Sequence, residues 1–502
     1  MDRQRGSRIK NRRDSPWNRS YKAYCLLSWR VAQRRPGEGR NKTYPSPEWR
    51  KLMNTSIFRK YDIRGIADRD LNNKTTAALG FVLGTMADGG TVAVGRDCRP
   101  SGTRLMNALA AGASYAGCTV VDLGVQTTPM TYFAASTLKP EVTVMITGSH
   151  NPAEYNGFKI MKGLHTLWGE GIKAVMLSVA EAPEIPLDSP VKTVKTSVME
   201  EYMDRLRSEF SPPVSLKVAV DAGNGTGGES ALRILQELGH RVVPLYCQAD
   251  GTFPNHHPDP TVISNLAELQ ETVRREKCHI GIAFDGDADR LGIVDENGLV
   301  IFGDRILCVL AEKVLKDNPG AAIISEVKAS SVFFSRIAEL GGRPVMLPTG
   351  HSIIKEGMLR ENALLAGEMS GHIFFRDRYY GYDDALYAAL RFLEIAEMAE
   401  GPVSSLTDQL PDLFATPEIR EECSDEKKFQ LVEKVKELLL ADGHKVIDID
   451  GVRVEFDEGW GLLRASNTQP VLVMRFEASS KKLCREYEDI IRNILDKSRE
   501  EL

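Results

Sequence analysis

The sequence has no apolar stretch approaching the roughly 20 residues that span a bilayer. Its longest apolar runs, such as Val142–Ile146, are strand-sized, so nothing in it calls for a membrane. Its 8 cysteines (Cys25, Cys98, Cys118, Cys247, Cys278, Cys308, Cys423 and Cys484) form no CxxC pair and none sits near a His at zinc-ligand spacing. A disulfide framework and a zinc module are both excluded. The cysteines read as reduced, buried thiols of a cytoplasmic protein. The sequence also lacks a nucleophile elbow around Ser149: a G-x-S-x-G pattern needs Gly two residues before and after the serine, where Thr147 and Asn151 stand.

What is present is an ordinary globular balance, 42% hydrophobic and 26% charged over 502 residues. That length is too great for one core and predicts three or four domains. Charge is unevenly placed. Residues 1–52 carry 15 Lys and Arg against 4 Asp and Glu, whereas the remainder carries 49 against 65. This basic arm holds three of the five Trp (Trp17, Trp29 and Trp49), and its short run Ala23–Trp29 is thin for a secretory signal core. It fits a basic arm for an anionic surface, a transit-like segment, or upstream sequence ahead of a true start at Met53. The last is the reading adopted, with the arm disordered or not native. A chain begun at Met53 should then keep its activity and stability.

Beyond Met53 the pattern is strand, glycine-bearing loop, helix. Thr91–Gly95, Cys118–Leu123 and Glu141–Ile146 read as strands, with a small-residue helix from Thr103. Leu216–Val220 repeats the theme before a helix from Glu229, and Ala321–Ser325 repeats it before a helix over Ser331–Glu339. These echoes predict a triplicated α/β unit. The last part differs, with an amphipathic helix over Asp425–Ala441, four short strands between Lys445 and Glu477, and a closing helix from Lys481: a small α+β domain. The expected division is 1–52 as the arm, 53–195, 196–299 and 300–411 as α/β domains, and 412–502 as the α+β domain.

Four segments carry chemistry. Thr147-Gly148-Ser149-His150-Asn151-Pro152 follows an apolar strand, and Lys159 returns a cation. A Ser in such a loop is exposed to a ligand, although alone it is more simply a turn residue bonding its own backbone. Asp285-Gly286-Asp287-Ala288-Asp289-Arg290 sets three carboxylates at alternate positions between two apolar strands. In a tight turn they converge on a hard cation; unpaired they would repel. An EF-hand is rejected because Arg290 stands where that loop needs Gly and the flanks are strands. A haloacid-dehalogenase-type nucleophile is disfavoured because Asp289 stands where a hydroxyl residue is expected. Gly367-Glu368-Met369-Ser370-Gly371-His372 suits recognition of vicinal hydroxyls. Arg464-Ala465-Ser466-Asn467-Thr468 offers a dense set of donors for a phosphate. Arg475, one strand later, reads as structural.

Those segments, in this order, resemble the α-D-phosphohexomutase superfamily, and most closely its bacterial bifunctional phosphomannomutase/phosphoglucomutase group. The resemblance runs from about Ser56 to the C-terminus. It implies four domains around a central cleft, each supplying one loop to a single site. It implies that Ser149 is phosphorylated and that Asp285, Asp287 and Asp289 bind Mg²⁺ together with it. Lys159 and Arg290 would stabilise the moving phosphoryl group; Glu368 and Ser370 would bind sugar hydroxyls; Arg464, Ser466, Asn467 and Thr468 would hold the other phosphate. Arg64, His351, His372 and Lys328 match substrate-contacting positions, and Tyr61 and His150 are added as neighbours. Ala288 stands where many relatives carry Gly, which adds bulk but removes no ligand. The implied reaction moves phosphate from Ser149 to O6 of a hexose 1-phosphate through a hexose 1,6-bisphosphate, which also serves as activator. Arg64, Lys159 and His372 are all candidate bases. The expected partners are phosphosugars alone, with no nucleic acid, membrane or obligate protein. Phosphoglucosamine mutase, a catalytically silent phosphosugar binder and a phosphatase or phosphotransferase that does not return the phosphate are the alternatives.

Overall fold

A computed structural model of the chain describes residues 53–188, 190–211, 213–466 and 470–501. The basic arm 1–52 lies outside the described residues.

Four sheets follow one another along the chain. In the first, the strand order is Ile63–Ile66, Tyr155–Lys162, Val142–Ile146, Thr91–Arg96, Thr119–Val125, Thr193–Lys195, with His165–Thr166 pairing Tyr155–Lys162 at the side. Thr91–Arg96 lies parallel to both Thr119–Val125 and Val142–Ile146. Val142–Ile146 then pairs antiparallel with Tyr155–Lys162. The second sheet repeats the plan. Lys217–Asp221 is parallel to Arg241–Leu245 and Ile280–Phe284, and Ile280–Phe284 turns back antiparallel into Leu291–Asp295. The third repeats it again, with Ala322–Glu326 parallel to Arg343–Leu347 and Leu365–Gly367, and Leu365–Gly367 antiparallel to Ile373–Phe375. The three strands singled out by sequence as echoes of one unit thus occupy equivalent positions, each between two parallel neighbours.

The central strands are buried along their whole length because both faces are covered, and they are largely apolar, with Thr143, Ser325 and Glu326 as buried polar members. Every residue of Val142–Ile146, Ile280–Phe284 and Ala322–Glu326 is buried. The fourth sheet is antiparallel throughout, with Val452–Phe456, Gly459–Ala465 and Val471–Ala478 at its centre. Helices Lys428–Ala441 and Lys481–Glu501 pack on one face through Leu431, Val435, Tyr487 and Ile491. On the other face Trp460 and Leu462 meet Val327 of the third domain. Arg453 donates to the Val327 and Ala329 carbonyls, and Arg475 donates to the Lys328 carbonyl at 2.6 Å. Arg475 is structural, as its sequence position implied.

Small differences from the sequence expectations lie at element ends. The helix expected from Asp425 runs over Lys428–Ala441, and the strand Lys445–Ile449 ends at Ile447. Of the cysteines described, Cys118, Cys278, Cys308 and Cys484 are buried, but Cys98, Cys247 and Cys423 are half-buried; all are free thiols. Among the described residues no helix is long and apolar enough to cross a membrane.

The chemistry-bearing loops share one structural address. Residues 147–154, 285–290 and 368–372 are the turns of antiparallel hairpins, and the fourth segment follows Gly459–Ala465, which pairs antiparallel with Val471–Ala478. In the three α/β domains that hairpin begins at the carboxyl end of the last parallel strand, where ligand sites of open α/β sheets form.

Candidate active site

Ser149 adopts a left-handed backbone with φ of 49° and is 2% exposed. Its hydroxyl donates to Asp285 Oδ2 at 2.9 Å and lies 3.2 Å from His150 Nδ1. The two loops come this close because Gly286 has no side chain: a Cβ there would stand 2.6 Å from the Ser149 carbonyl. Lys159, on the strand returning from the serine loop, donates to Asp287 Oδ2 at 2.7 Å and also to Asp289 Oδ2. Thr128, at the start of the helix Thr128–Thr137, donates from its hydroxyl to Asp287 Oδ2 at 2.6 Å and from its backbone N–H to the Asp287 carbonyl at 2.9 Å.

The three aspartates are 0% exposed. Burial together with the charges of Asp289 and Asp287 pushes Asp285 well above the usual carboxylate range. Burial works the same way on Asp287, but the Lys159 ammonium and the Thr128 hydroxyl reverse it and hold Asp287 below that range. Lys159 is held well above its ordinary value, because Asp287 and Asp289 outweigh the cost of burying it. It is an ammonium ion and not a base.

This donor set fits a hard cation. Asp287 Oδ1 and Asp289 Oδ1 are buried with no hydrogen-bond partner. Ligand atoms from Asp285, Asp287 and Asp289 lie within 4.8 Å of one another, and the set is all oxygen. Ala288 takes φ of 57° at the crest of the turn, and its methyl would stand 2.8 Å from a Cβ placed on Gly227. The added bulk is absorbed by that glycine and displaces no carboxylate.

Asp289, His372 and Asp383 form a second compact group, but here a proton fills the gap. Arg290 Nε donates to His372 Nε2 at 3.1 Å. A guanidinium has only donors, so Nε2 is the acceptor and the ring proton sits on Nδ1. Nδ1 faces Asp383 Oδ2 at 3.0 Å and the Asp289 carbonyl at 3.1 Å. Burial opposes charging this ring, and Asp289 and Asp383 overcome it, so the imidazole is more basic than usual. Lys355 bonds the other oxygen of Asp383 at 3.1 Å. His351 stacks on His372 with centroids 5.5 Å apart, and burial together with Lys355 keeps it neutral.

In the sugar loop, Glu368 accepts from the Gly350 N–H at 2.7 Å. Burial and the neighbouring Glu326 push its carboxyl up to about 7. Glu326 holds the same loop through the Met369 N–H at 3.0 Å and lies 3.5 Å from Lys328. Ser370 is half-buried at the loop tip. Lys328 also pairs with Glu418 at 2.8 Å. In the phosphate loop, Arg464 pairs with Asp450 Oδ2 at 3.0 Å, and the Thr349 N–H donates to that same oxygen at 3.2 Å. Ser466 is buried beside it; Asn467 and Thr468 lie outside the described residues. Tyr61 donates to the Thr349 carbonyl at 2.7 Å, and Arg64 pairs with Asp62 at 2.6 Å.

The structure therefore joins Ser149 to Asp285 directly, the acidic turn to residues 368–372 through Arg290 and His372, and the third domain to Arg464 through Asp450. Sequence reasoning missed Asp97, Arg99, Thr128, Glu326, Asp383, Glu418, Asp450 and Lys60. Lys60 belongs to the first domain, yet Asp450 and Arg464 act on its ammonium, and burial together with Arg464 lowers it. Asp97-x-Arg99 and Tyr382-Asp383-Asp384 are charged pieces abutting a buried strand or helix, but nothing in them names the group each one meets.

A serine bonded to an acidic turn that fits a hard cation, a buried glutamate and an arginine paired with Asp450, one from each domain, suit an enzyme that handles phosphosugars. The chain belongs to the phosphoglucomutase/phosphomannomutase family. Profiles of that family's alpha/beta/alpha domains I, II and III match residues 55–168, 200–298 and 302–414, and its C-terminal domain matches 418–494. The chain is 42% identical to the phosphomannomutase/phosphoglucomutase of Pseudomonas aeruginosa over 444 residues, covering 88% of this chain and 95% of that one. It is 42% identical to a phosphoglucomutase of Neisseria gonorrhoeae over 430 residues, 85% of this chain and 93% of the relative. A crystal structure of a phosphoglucomutase/phosphomannomutase family protein from Burkholderia thailandensis superposes with a TM-score of 0.83 at 38% identity, covering 89% of this chain and 98% of that one. The chain is a mutase of the phosphohexomutase type.

Proposed function

We propose that this mutase interconverts hexose 1-phosphates and hexose 6-phosphates of mannose and glucose, with Ser149 as phosphoryl carrier. The observation that carries this is the Ser149 hydroxyl 2.9 Å from Asp285, inside a buried three-aspartate turn with Lys159 beside it. A serine set for acyl transfer needs a base and no metal-type turn; a serine that holds a phosphoryl group needs concentrated positive charge and alignment. Asp285, Asp287 and Asp289 are the residues that would hold Mg²⁺, with the Ser149 phosphate. When bound, that ion supplies charge neutralisation to the transferring phosphoryl group.

The chain's own residues do the rest. O6 of a hexose 1-phosphate attacks phosphorus, the bond from phosphorus to Ser149 Oγ breaks, and a hexose 1,6-bisphosphate results. Lys159 and Arg290 stabilise the phosphoryl oxygens. The O6 proton goes to His372 Nε2, which Arg290 frees as it moves to the phosphoryl group. Among the candidate bases only His372 has an available lone pair: Lys159 is an ammonium bound by two carboxylates, and Arg64 is a guanidinium. The bisphosphate then turns end for end, and its other phosphate returns to Ser149. Glu368 and Ser370 receive the sugar hydroxyls. Arg464, Ser466, Asn467, Thr468 and Lys328 hold the idle phosphate, His351 and Tyr61 line its approach, and His150 stays beside Ser149 as a neutral ring. Added hexose 1,6-bisphosphate reloads a dephosphorylated Ser149.

Parallel assays on mannose 1-phosphate, glucose 1-phosphate and glucosamine 1-phosphate test the substrate. Turnover of the first two well above the third is expected. Preference for the third, or release of inorganic phosphate in place of isomer, would overturn the proposal.

A further inference from the structure

The loop carrying Ser149 is costly to hold. Ser149 sits at φ of 49°, a region that costs a non-glycine residue roughly 1–2 kcal/mol. Its carbonyl and those of Asn151, Pro152 and Tyr155 are met by one side chain. Arg99 has five N–H donors, and all five are used. Nη2 donates to the Ser149 carbonyl at 2.7 Å and to the Asn151 carbonyl at 2.5 Å. Nη1 donates to the Pro152 carbonyl at 2.5 Å and the Tyr155 carbonyl at 3.1 Å. Nε donates to Asp97 Oδ2 at 3.0 Å.

Asp97 grips the other limb of the loop. Its Oδ2 accepts from the Thr147 hydroxyl at 2.8 Å and the Gly148 N–H at 3.1 Å. Both residues follow Thr91–Arg96, the strand beside the one that leads into the loop, and the Asp97 N–H extends that ladder to the Ile146 carbonyl. The guanidinium passes directly over Gly148, where a Cβ would stand 2.5 Å from its carbon. Its far face is covered from the second domain by the Phe253 ring, with the centroid 4.9 Å away. The side chains of Arg99 and Asp97 are 0% and 1% exposed, so neither meets substrate.

We infer that Arg99, seated by Asp97 and covered by Phe253, is a positioning residue that holds the Ser149 loop in the one conformation that aims the phosphoryl carrier at the metal turn. The inference rests on Ser149 being that carrier. Lysine cannot replace Arg99, since an ammonium has three donors at one point and cannot span carbonyls from residue 149 to residue 155.

The test uses the full chain, Arg99→Lys and Phe253→Leu, with thermal midpoints measured on each. Readouts are kcat, KM for glucose 1-phosphate and mannose 1-phosphate, and the partition of Ser149-bound ³²P between sugar and water after loading with glucose 1,6-bisphosphate. For R99K, kcat falls by about 100-fold while KM stays within about 3-fold, as expected when a reacting group is displaced by about an ångström. More label also goes to water. F253L, which leaves every polar contact in place, shows the same split at about 5-fold. Should R99K lack a cooperative transition, F253L decides. Wild-type kcat and partition in F253L, or in a folded R99K, overturn the inference. Failure of the wild-type chain to take up label at all would instead strike the carrier role of Ser149.

Discussion

Beside Ser149 the nearest cation is locked to carboxylates that never see water. Lys159 is gripped by Asp287 and Asp289, whose side chains are 0% exposed. Lys328 and Arg464 are also paired, each with one carboxylate that reaches water, although Lys328 lies 3.5 Å from the buried Glu326 as well. Glu418, which holds Lys328, is 31% exposed; Asp450, which holds Arg464, is 12% exposed. A buried pair is expensive to separate, several kcal/mol when one partner is lost. A pair whose carboxylate reaches water costs less to separate than one buried on both sides. On the proposed function, the reacting end is assembled in advance, while Lys328 and Arg464 are held by carboxylates that a phosphate can replace. That division suits a reaction whose intermediate must bind in two orientations while the phosphoryl group moves along one line.

The sharpest way to break this comparison is at the carrier. Ser149→Ala is expected to abolish incorporation of labelled phosphate from a hexose 1,6-bisphosphate, and labelling at the wild-type level would end the assignment. Asp287→Asn removes one carboxylate charge from the locked end and leaves Lys159 underpaired. Turnover should fall by about 10²–10³-fold or more, with a higher Mg²⁺ concentration for half-maximal rate in a metal titration. At the recognition end the loss should take another form. Arg464→Ala removes a charge-assisted phosphate contact of about 1.5–3 kcal/mol, so KM should rise about 10–100-fold with kcat changed only a few-fold. An unchanged KM would place the idle phosphate elsewhere.

The smallest effect is one of pH. Glu368 has a carboxyl pushed up to about 7 by burial and by Glu326. An unfolded Glu titrates near 4.3. The folded state therefore binds this proton more tightly, and the stabilisation is whole below pH 4, then lost as pH rises through 7. Glu368→Gln, which stays neutral, should equal the wild type in thermal midpoint near pH 5 and exceed it near pH 8, by on the order of 2 kcal/mol. A gap that does not widen with pH would show that Glu326 does not burden this site.

The sheets and the loops were legible because burial on both faces forces continuous apolar runs, as in Val142–Ile146, and because Gly, Asp and Ser cluster at the turns between them. The internal echoes at Thr91, Leu216 and Ala321 marked equivalent strands even though their residues share little. Asp383 and Glu326 were not legible. Each acts inside the third domain on a group that only the fold brings near, Asp383 on His372 and Glu326 on the Met369 backbone, and nothing local in a sequence shows which group a buried carboxylate will meet. Arg99 was hidden for a related reason: it binds carbonyls, which every residue has. The choice of His372 over Arg64 and Lys159 needed the direction of one hydrogen bond.

Three of the loops are hairpin turns, and a hairpin turn is the place where a sheet tolerates change most readily. Within residues 368–372, however, Gly371 lies against the Leu291 backbone, where a Cβ would stand 2.5 Å from the carbonyl oxygen, and His372 accepts from Arg290, so both tie this turn to the acidic hairpin. On the proposed function, sugar preference is therefore adjusted through the side chains of Met369 and Ser370, the two positions of the turn that can change without disturbing its neighbour.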